Sequence, residues 1–180
     1  MAKQVRTVYG NALFYAARDA GRLTSVREQA EVILKALGEN PDFARILCHP
    51  EILTDEKERI VEEIFGEKVD PLIMGIISVL LDKGHGHEIE NVLESFTAQA
   101  LEEEKIGVAQ VTSAVPLNEE QKERIRQKLL DTTEYTSMRI SYSTDPRLIG
   151  GLVIRLRDRV VDSSLRNKLD QMKHSLLAGV

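Results

Sequence analysis

The spacing of apolar residues changes at Gly107, and this change constrains the fold more than any other feature of the 180-residue chain. Before it, apolar or small residues recur every three or four positions, as in Val5, Tyr9, Ala12 and Ala16, which indicates amphipathic helices. After it, residues 108–113 alternate with a period of two, which predicts a strand. We therefore expect a mainly α chain of two domains, with a helical domain over residues 1–105 and a small α+β domain over residues 106–180.

Six helical segments are predicted in the first domain, separated by residues that end or begin helices. Gly21, Gly38, Gly66 and Gly84 each follow an apolar segment, as is typical of a helix C-terminus. Asp70-Pro71 is typical of a helix start, with proline in the first helical position. The connections are short, so neighbouring helices are expected to pack antiparallel.

The second domain is predicted to contain three clear strands and two helices. The strand period recurs near residues 138–142 and 152–156, and Val160-Val161 follow a turn. Asn118 with Gln121 three residues later resembles a capping box for the first of the two helices. Asp162 and Ser163 are candidate caps for the last helix.

Composition excludes several classes of partner. The formal net charge of −5 disfavours a polyanionic ligand, so we expect no nucleic acid. The most apolar stretch, Leu72 to Leu81, is half the length of about 20 residues that a bilayer span needs, so no direct membrane insertion is expected. The single cysteine, Cys48, cannot form a disulfide within the chain.

No pattern of catalytic, cofactor-binding or metal-binding residues is evident, and we expect neither enzyme activity nor a cofactor. The segment Gly84-His85-Gly86 begins like a dinucleotide fingerprint but lacks its third glycine and its strand. His85 and His87 are two ligands, whereas a metal site needs three or four. Gly150-Gly151 fits either an anion-binding nest or, as we favour, a close backbone contact at the start of a strand.

Two helices of the first domain allow two interpretations. The first is rich in alanine, including Ala12 and Ala16, and the fifth, residues 72–81, is apolar almost all round. Ordinary core packing explains both on its own. The alternative is a groove that receives an amphipathic helix from a partner.

The segment 145–155 and the residues after it resemble the signature of the ATP synthase delta subunit family, which includes the mitochondrial oligomycin-sensitivity-conferring protein. The residues that carry the resemblance are Asp145, Gly150, Gly151, Ile154, Arg155, Asp158, Asp162, Ser164 and Leu169. Residues 5–14 also resemble the opening of the family, and the resemblance extends over essentially the whole chain.

The resemblance implies a six-helix N-terminal bundle, an α+β C-terminal domain and a non-catalytic stator role in the rotary ATP synthase. It implies that the first domain binds the N-terminal helix of an alpha subunit and that the second binds the b subunits of the peripheral stalk. The residues assigned to the alpha-subunit site are Tyr9, Ala12, Leu13, Ala16, Ile73, Ile76, Ile77 and Leu80. Outside the complex the chain is expected to be a monomer, and within it to lie at the cytoplasmic face of a bacterial plasma membrane, held through other subunits.

Two positions depart from the family pattern. Arg157 replaces a usual glycine before Asp158, which costs ~1 kcal/mol if the turn requires positive φ. His85-Gly86 replaces a frequent Arg-Leu pair, which alters any contact made there. Two other functions stay open on the sequence: a free-standing helical adaptor that binds a partner in the same groove, and a small acidic enzyme, which would need a cluster of perturbed residues in a pocket.

Overall fold

The computed structural model describes residues 2–49, 52–66, 69–157 and 159–178. The fold is mainly helical with a small four-stranded mixed sheet, which confirms the expected class. The chain divides into two compact units, Met1–Glu104 and Lys105–Val180.

The first unit is built from helices. These are α1 (Ala2–Asp19), α2 (Leu23–Glu39), α3 (Pro41–Cys48), α4 (Thr54–Phe65), α5 (Pro71–Asp82) and α6 (Ile89–Glu103). A 3₁₀ turn, Gly86–Glu88, precedes α6. The Asp70 carboxylate accepts a hydrogen bond from the Leu72 amide at 3.0 Å, and Pro71 occupies the first turn, so α5 begins as the sequence predicts.

The aliphatic core of the first unit is centred on α6. Val92, Leu93, Phe96 and Ala100 of this helix are fully buried, and α6 packs against both α1 and α2. Gly10 of α1 allows this close packing, because a Cβ at that position would lie 3.0 Å from the Ser95 side chain. Small residues on α1 therefore serve packing against α6 on one face.

A buried ion cluster ties α2 to the end of α6. The Arg27 side chain is only 3% exposed; its Nε lies 2.7 Å from Glu104 and its Nη1 lies 2.8 Å from Glu31. Burial by itself would lower the pKa of the Arg27 guanidinium, but hydrogen bonds and charges from Glu31 and Glu104 outweigh it, and the pKa is raised. The cluster fixes the last turn of the first unit.

The second unit is a mixed sheet with two helices. Its elements are β1 (Ile106–Ser113), α7 (Glu119–Thr132), β2 (Ser137–Thr144), a 3₁₀ turn (Pro146–Leu148), β3 (Leu152–Leu156), β4 (Arg159–Asp162) and α8 (Leu165–Ala178). The strand order is β2-β1-β3-β4. β1 pairs with β2 in parallel, and β3 pairs with β1 and β4 in antiparallel.

Helix α7 forms the crossover between the two parallel strands, as a parallel pair requires. The capping box predicted at its start is present: the Gln121 amide donates to Asn118 at 2.8 Å and the Asn118 amide donates to Gln121 at 3.0 Å. α7 packs on the β2 side of the sheet, where the Tyr142 hydroxyl donates to the Lys122 carbonyl at 3.2 Å. The face of the sheet towards α7 includes the buried Ala109 and Val111 of β1.

The turn between β3 and β4 requires a positive φ at Arg157. Its φ is +51°, so this turn adopts the left-handed conformation that favours glycine. An L-residue there costs about 1–2 kcal/mol relative to glycine. The arginine is therefore accommodated at that cost. Asp158 lies outside the described residues.

Candidate partner-binding surfaces

The eight residues assigned to the alpha-subunit site lie on two helices that contact each other, α1 and α5. Four of them are core residues: Leu13, Ile73, Ile77 and Leu80 are each at most 3% exposed. Their side chains hold the first unit together, so they are not available on its surface. The sequence could not separate these residues from the others, because α5 is apolar on nearly every side.

The other four assigned residues remain accessible to a partner. Ala12 and Ala16 are exposed, whereas Tyr9 and Ile76 are partly buried against the core. At helical spacing they share a side of each helix with further apolar residues that the sequence analysis did not assign. Those residues are Val5, Val8, Leu72 and Val79, of which Val8 and Val79 are exposed. The accessible α1–α5 surface is therefore apolar and is floored by small side chains.

The glycine pair of the second unit lies where three backbone segments meet. Gly151 has φ +81°, and a Cβ there would clash with the Ser163 carbonyl oxygen. The Gly150 carbonyl accepts a hydrogen bond from the Leu165 amide at 2.9 Å. The pair therefore makes the close backbone contact that we favoured, between the entry to β3 and the start of α8.

The start of α8 is held by two side chains of the signature. The Asp162 carboxylate accepts from the Ser164 amide at 2.8 Å, and the Ser164 hydroxyl accepts from the Asn167 amide at 3.2 Å. Hydrogen bonding from the side chain and the backbone amide of Ser164 to the Asp162 carboxylate lowers the pKa of the Asp162 carboxyl. Ser164, which is buried, accepts from the third amide of the helix, although only Asp162 and Ser163 were predicted as caps. Asp, Ser and Thr side chains all cap helices, so the residue types alone do not identify the cap among neighbouring positions.

Of the remaining signature residues, some stabilise the backbone or the sheet and others are exposed to solvent. Asp145 caps the 3₁₀ turn by accepting from the Arg147 amide at 3.0 Å, and the Arg147 side chain lowers the pKa of the Asp145 carboxyl. Ile154 lies between Val111 and Val161 in the sheet. Arg155 and Leu169 are exposed. Most of the signature thus serves the architecture, and these two side chains are available to a partner.

An apolar groove runs along the side of α7 that faces β3 and β4. It consists of two adjoining cavities of about 420 and 540 Å³, which share Ile125, Gly151 and Leu152. Leu129, Ile154 and Val161 complete the floor of the larger cavity, and Val161 is 58% exposed. The sheet half formed by β3 and β4 is therefore not covered by α7.

Two cations and a strained residue border this groove. Lys128 and Arg159 line the larger cavity, and among the described residues neither forms an ion pair. Ile149 lines the smaller cavity with φ +66° and an exposed side chain. A β-branched residue with positive φ is a conformational outlier. None of these three residues was predicted to be part of a site, because the local sequence pattern does not indicate a positive φ or a missing neighbour.

The described residues contain neither a candidate metal site nor a candidate membrane-spanning helix. No group of three or more His, Cys, Asp or Glu side chains there is arranged to hold a metal ion. None of the described helices combines the length and apolar character needed to cross a bilayer.

Comparison with known proteins identifies the family. The family described as ATP synthase delta (OSCP) subunit matches residues 5–176. The ATP synthase subunit delta of Lachnoclostridium phytofermentans is 40% identical over 176 residues, covering 98% of this chain and 97% of the relative. The subunit delta of Desulforudis audaxviator is 33% identical over 168 residues, covering 93% and 92%.

A solved structure shares the fold. A chain of the cryo-EM structure of the Toxoplasma gondii mitochondrial ATP synthase hexamer matches with a TM-score of 0.80 and 20% identity, covering 96% of this chain and 97% of that chain. The family match spans nearly the whole sequence, and the relatives agree with it in name. The chain therefore belongs to the ATP synthase delta (OSCP) subunit family, whose members are structural, non-catalytic stator components of the rotary ATP synthase.

Proposed function

We propose that this chain joins the catalytic head of the ATP synthase to its peripheral stalk, with one task for each unit. The helical unit acts as a six-helix bundle that binds the N-terminal helix of an alpha subunit on its α1–α5 surface. The α+β unit binds the C-terminal ends of the b subunits. The chain is a monomer before assembly and is held at the cytoplasmic face of the membrane by these subunits.

A single observation carries this division of tasks: each unit has its own uncovered apolar surface. In the first unit this is the accessible side of α1 and α5, and in the second it is the groove beside α7. A linking protein that resists torque needs two independent attachment surfaces. The described residues offer such a surface on each unit.

The α1–α5 surface suits an amphipathic helix. Ala12 and Ala16 allow another backbone to approach closely, while Tyr9, Val8 and Val79 supply apolar area. Burying one aliphatic side chain of the partner contributes about 1.5–3 kcal/mol. Several such anchors can exceed the association cost of about 4–15 kcal/mol.

Substitution of Ala12 by Asp tests this assignment in the full chain. Ala12 is exposed, so the variant is expected to fold, but a bound helix would bury the new carboxylate without a partner. We expect the synthetic N-terminal helix of the alpha subunit to bind at least tenfold more weakly to Ala12→Asp by isothermal titration calorimetry. Ala98→Asp, at an exposed position of α6, is the matched control and is expected to bind as wild type does. Equal binding by both variants would show that this surface is not the site.

A further inference from the structure

The sheet of the second unit has room for two helices on the face that carries α7. Strands lie about 4.8 Å apart and a helix with its side chains is about 10 Å wide, so one helix covers about two strands. α7 packs on the β2 side, and the side chains that β3 and β4 present to the same face line the groove. The described residues leave the second of the two helix positions open.

The open position has the dimensions of a helix. Along α7 the two cavities extend from Gln121 to Thr132, which is about 16 Å at about 1.5 Å per residue, or about three turns. The groove is lined by aliphatic side chains: Ile125 and Leu129 from α7, and Leu152, Ile154 and Val161 from β3 and β4. An occupant with apolar residues at spacings of three and four would place them on this floor.

The positive charge around the groove favours a partner helix that carries acidic residues. Residues 105–180 contain 13 Lys and Arg against 9 Asp and Glu, a net of +4, whereas residues 1–104 contain 11 against 20, a net of −9. Lys128 and Arg159 border the groove without an ion pair among the described residues. Carboxylates beside the apolar stripe of an incoming helix would give both cations a partner.

The same criterion disfavours α8, whether from this chain or from a second copy. α8 carries an exposed stripe of Leu165, Leu169 and Met172, so it resembles an occupant by shape. Its flanking charges are mostly basic, with Arg166 and Lys168 among them. It would bring like charges towards Lys128 and Arg159.

We propose that the groove between α7 and the β3–β4 half of the sheet receives a partner helix of about three turns, with aliphatic anchors flanked by carboxylates. This helix lies beside α7 and completes the layer. The inference rests on the proposed function, because the stalk end of a b subunit is the segment that would supply the helix. It adds to that function a location, a length and a charge.

Two neighbouring valines allow a matched test. Val161 and Val160 are 58% and 53% exposed on one short strand, but they point to opposite faces of the sheet, and only Val161 lines the groove. The full chain is titrated with the synthetic C-terminal segment of the b subunit encoded by the same organism. We expect Val161→Glu to weaken binding at least tenfold and Val160→Glu to change it less than twofold.

A second pair of variants tests the charge. Lys128→Glu combined with Arg159→Glu is expected to weaken binding at least fivefold and to reduce its dependence on salt. Arg166→Glu combined with Lys168→Glu, which makes the same change in net charge on α8, is expected to have at most a twofold effect. Circular dichroism confirms that all variants are folded.

The outcomes separate the inference from the function on which it rests. If the b segment binds wild type and all variants equally, the groove is not its site, and the inference falls while the stalk-binding role stands. If Val161→Glu weakens binding but the two charge reversals do not differ, the acidic character of the helix is wrong. If wild type does not bind the segment at all, both the inference and the stalk-binding role are wrong.

Discussion

At the scale of single residues, the signature of the second unit is mostly a set of backbone requirements. Gly151 combines a positive φ with contact against the Ser163 carbonyl, and Asp162 and Ser164 hold the amides that follow. Each of these residues fixes the backbone conformation where the entry to β3 meets the start of α8. The backbone path between the entry to β3 and the start of α8 therefore depends on these residues.

Gly151→Ala tests this interpretation. We expect it to destabilise the second unit by more than about 2 kcal/mol, because positive φ alone costs about 1–2 kcal/mol and the Cβ also displaces backbone. Gly150→Ala is the control: its Cβ would meet only the flexible end of the Leu165 side chain, and φ there is not positive. Urea denaturation of both variants measures the difference, and equal losses of stability would contradict the backbone explanation.

At the scale of elements, the Arg27 cluster joins helices that are far apart in sequence. Arg27 lies in α2, and Glu104 directly follows α6. Removing one member of a buried ion pair leaves the other charge desolvated and unpaired. The tie between α2 and α6 therefore depends on both partners.

Arg27→Met is expected to destabilise the helical unit by about 2–4 kcal/mol. In the Arg27→Met variant, the further substitution Glu104→Gln should reduce the free energy of unfolding by less than it does in wild type. We expect a coupling free energy of about 1 kcal/mol or more in the double-mutant cycle. Arg45→Met is the surface control, since its ion pair with Asp42 is exposed, and it should change stability by less than about 0.5 kcal/mol. Additive effects in the cycle, measured by urea denaturation, would show that the two residues do not act together.

Most elements could be predicted from sequence, because apolar spacing reports which side of a helix or strand is buried. The capping box at Asn118 and the proline start of α5 have local signals and are confirmed. The burial of Ile73 and Leu80 could not be predicted, since a helix that is apolar all round has no preferred face. The Arg27–Glu104 pair spans 77 positions, and the positive φ of Ile149 and the groove beside α7 have no local signal either.

At the scale of the whole molecule, the two compact units have separate charge and separate means of stabilisation. The first is acidic with a buried aliphatic core, and the second is basic with few fully buried side chains. The chain passes directly from Glu103 at the end of α6 to Ile106 at the start of β1. Each unit therefore has the composition of a part that folds by its own contacts.

Expression of residues 1–104 alone tests whether the first unit folds independently. We expect a helical circular dichroism spectrum and a cooperative thermal transition, because the core of α6 with α1 and α2 lies entirely within this segment. A matched fragment, residues 1–88, lacks α6 and is expected to lose the transition. A fragment 1–104 that is unfolded would contradict the independence of the unit.

The open helix position also bears on how long an unassembled copy survives in a cell. A subunit whose apolar groove stays open is less stable than the same subunit with the groove filled, since a ligand that binds only the native state stabilises it by mass action. Local opening exposes a chain to proteases in proportion to the population of the open form. Surplus copies would therefore be degraded faster than assembled ones, and the supply of this subunit would follow the supply of its partner without any dedicated regulator.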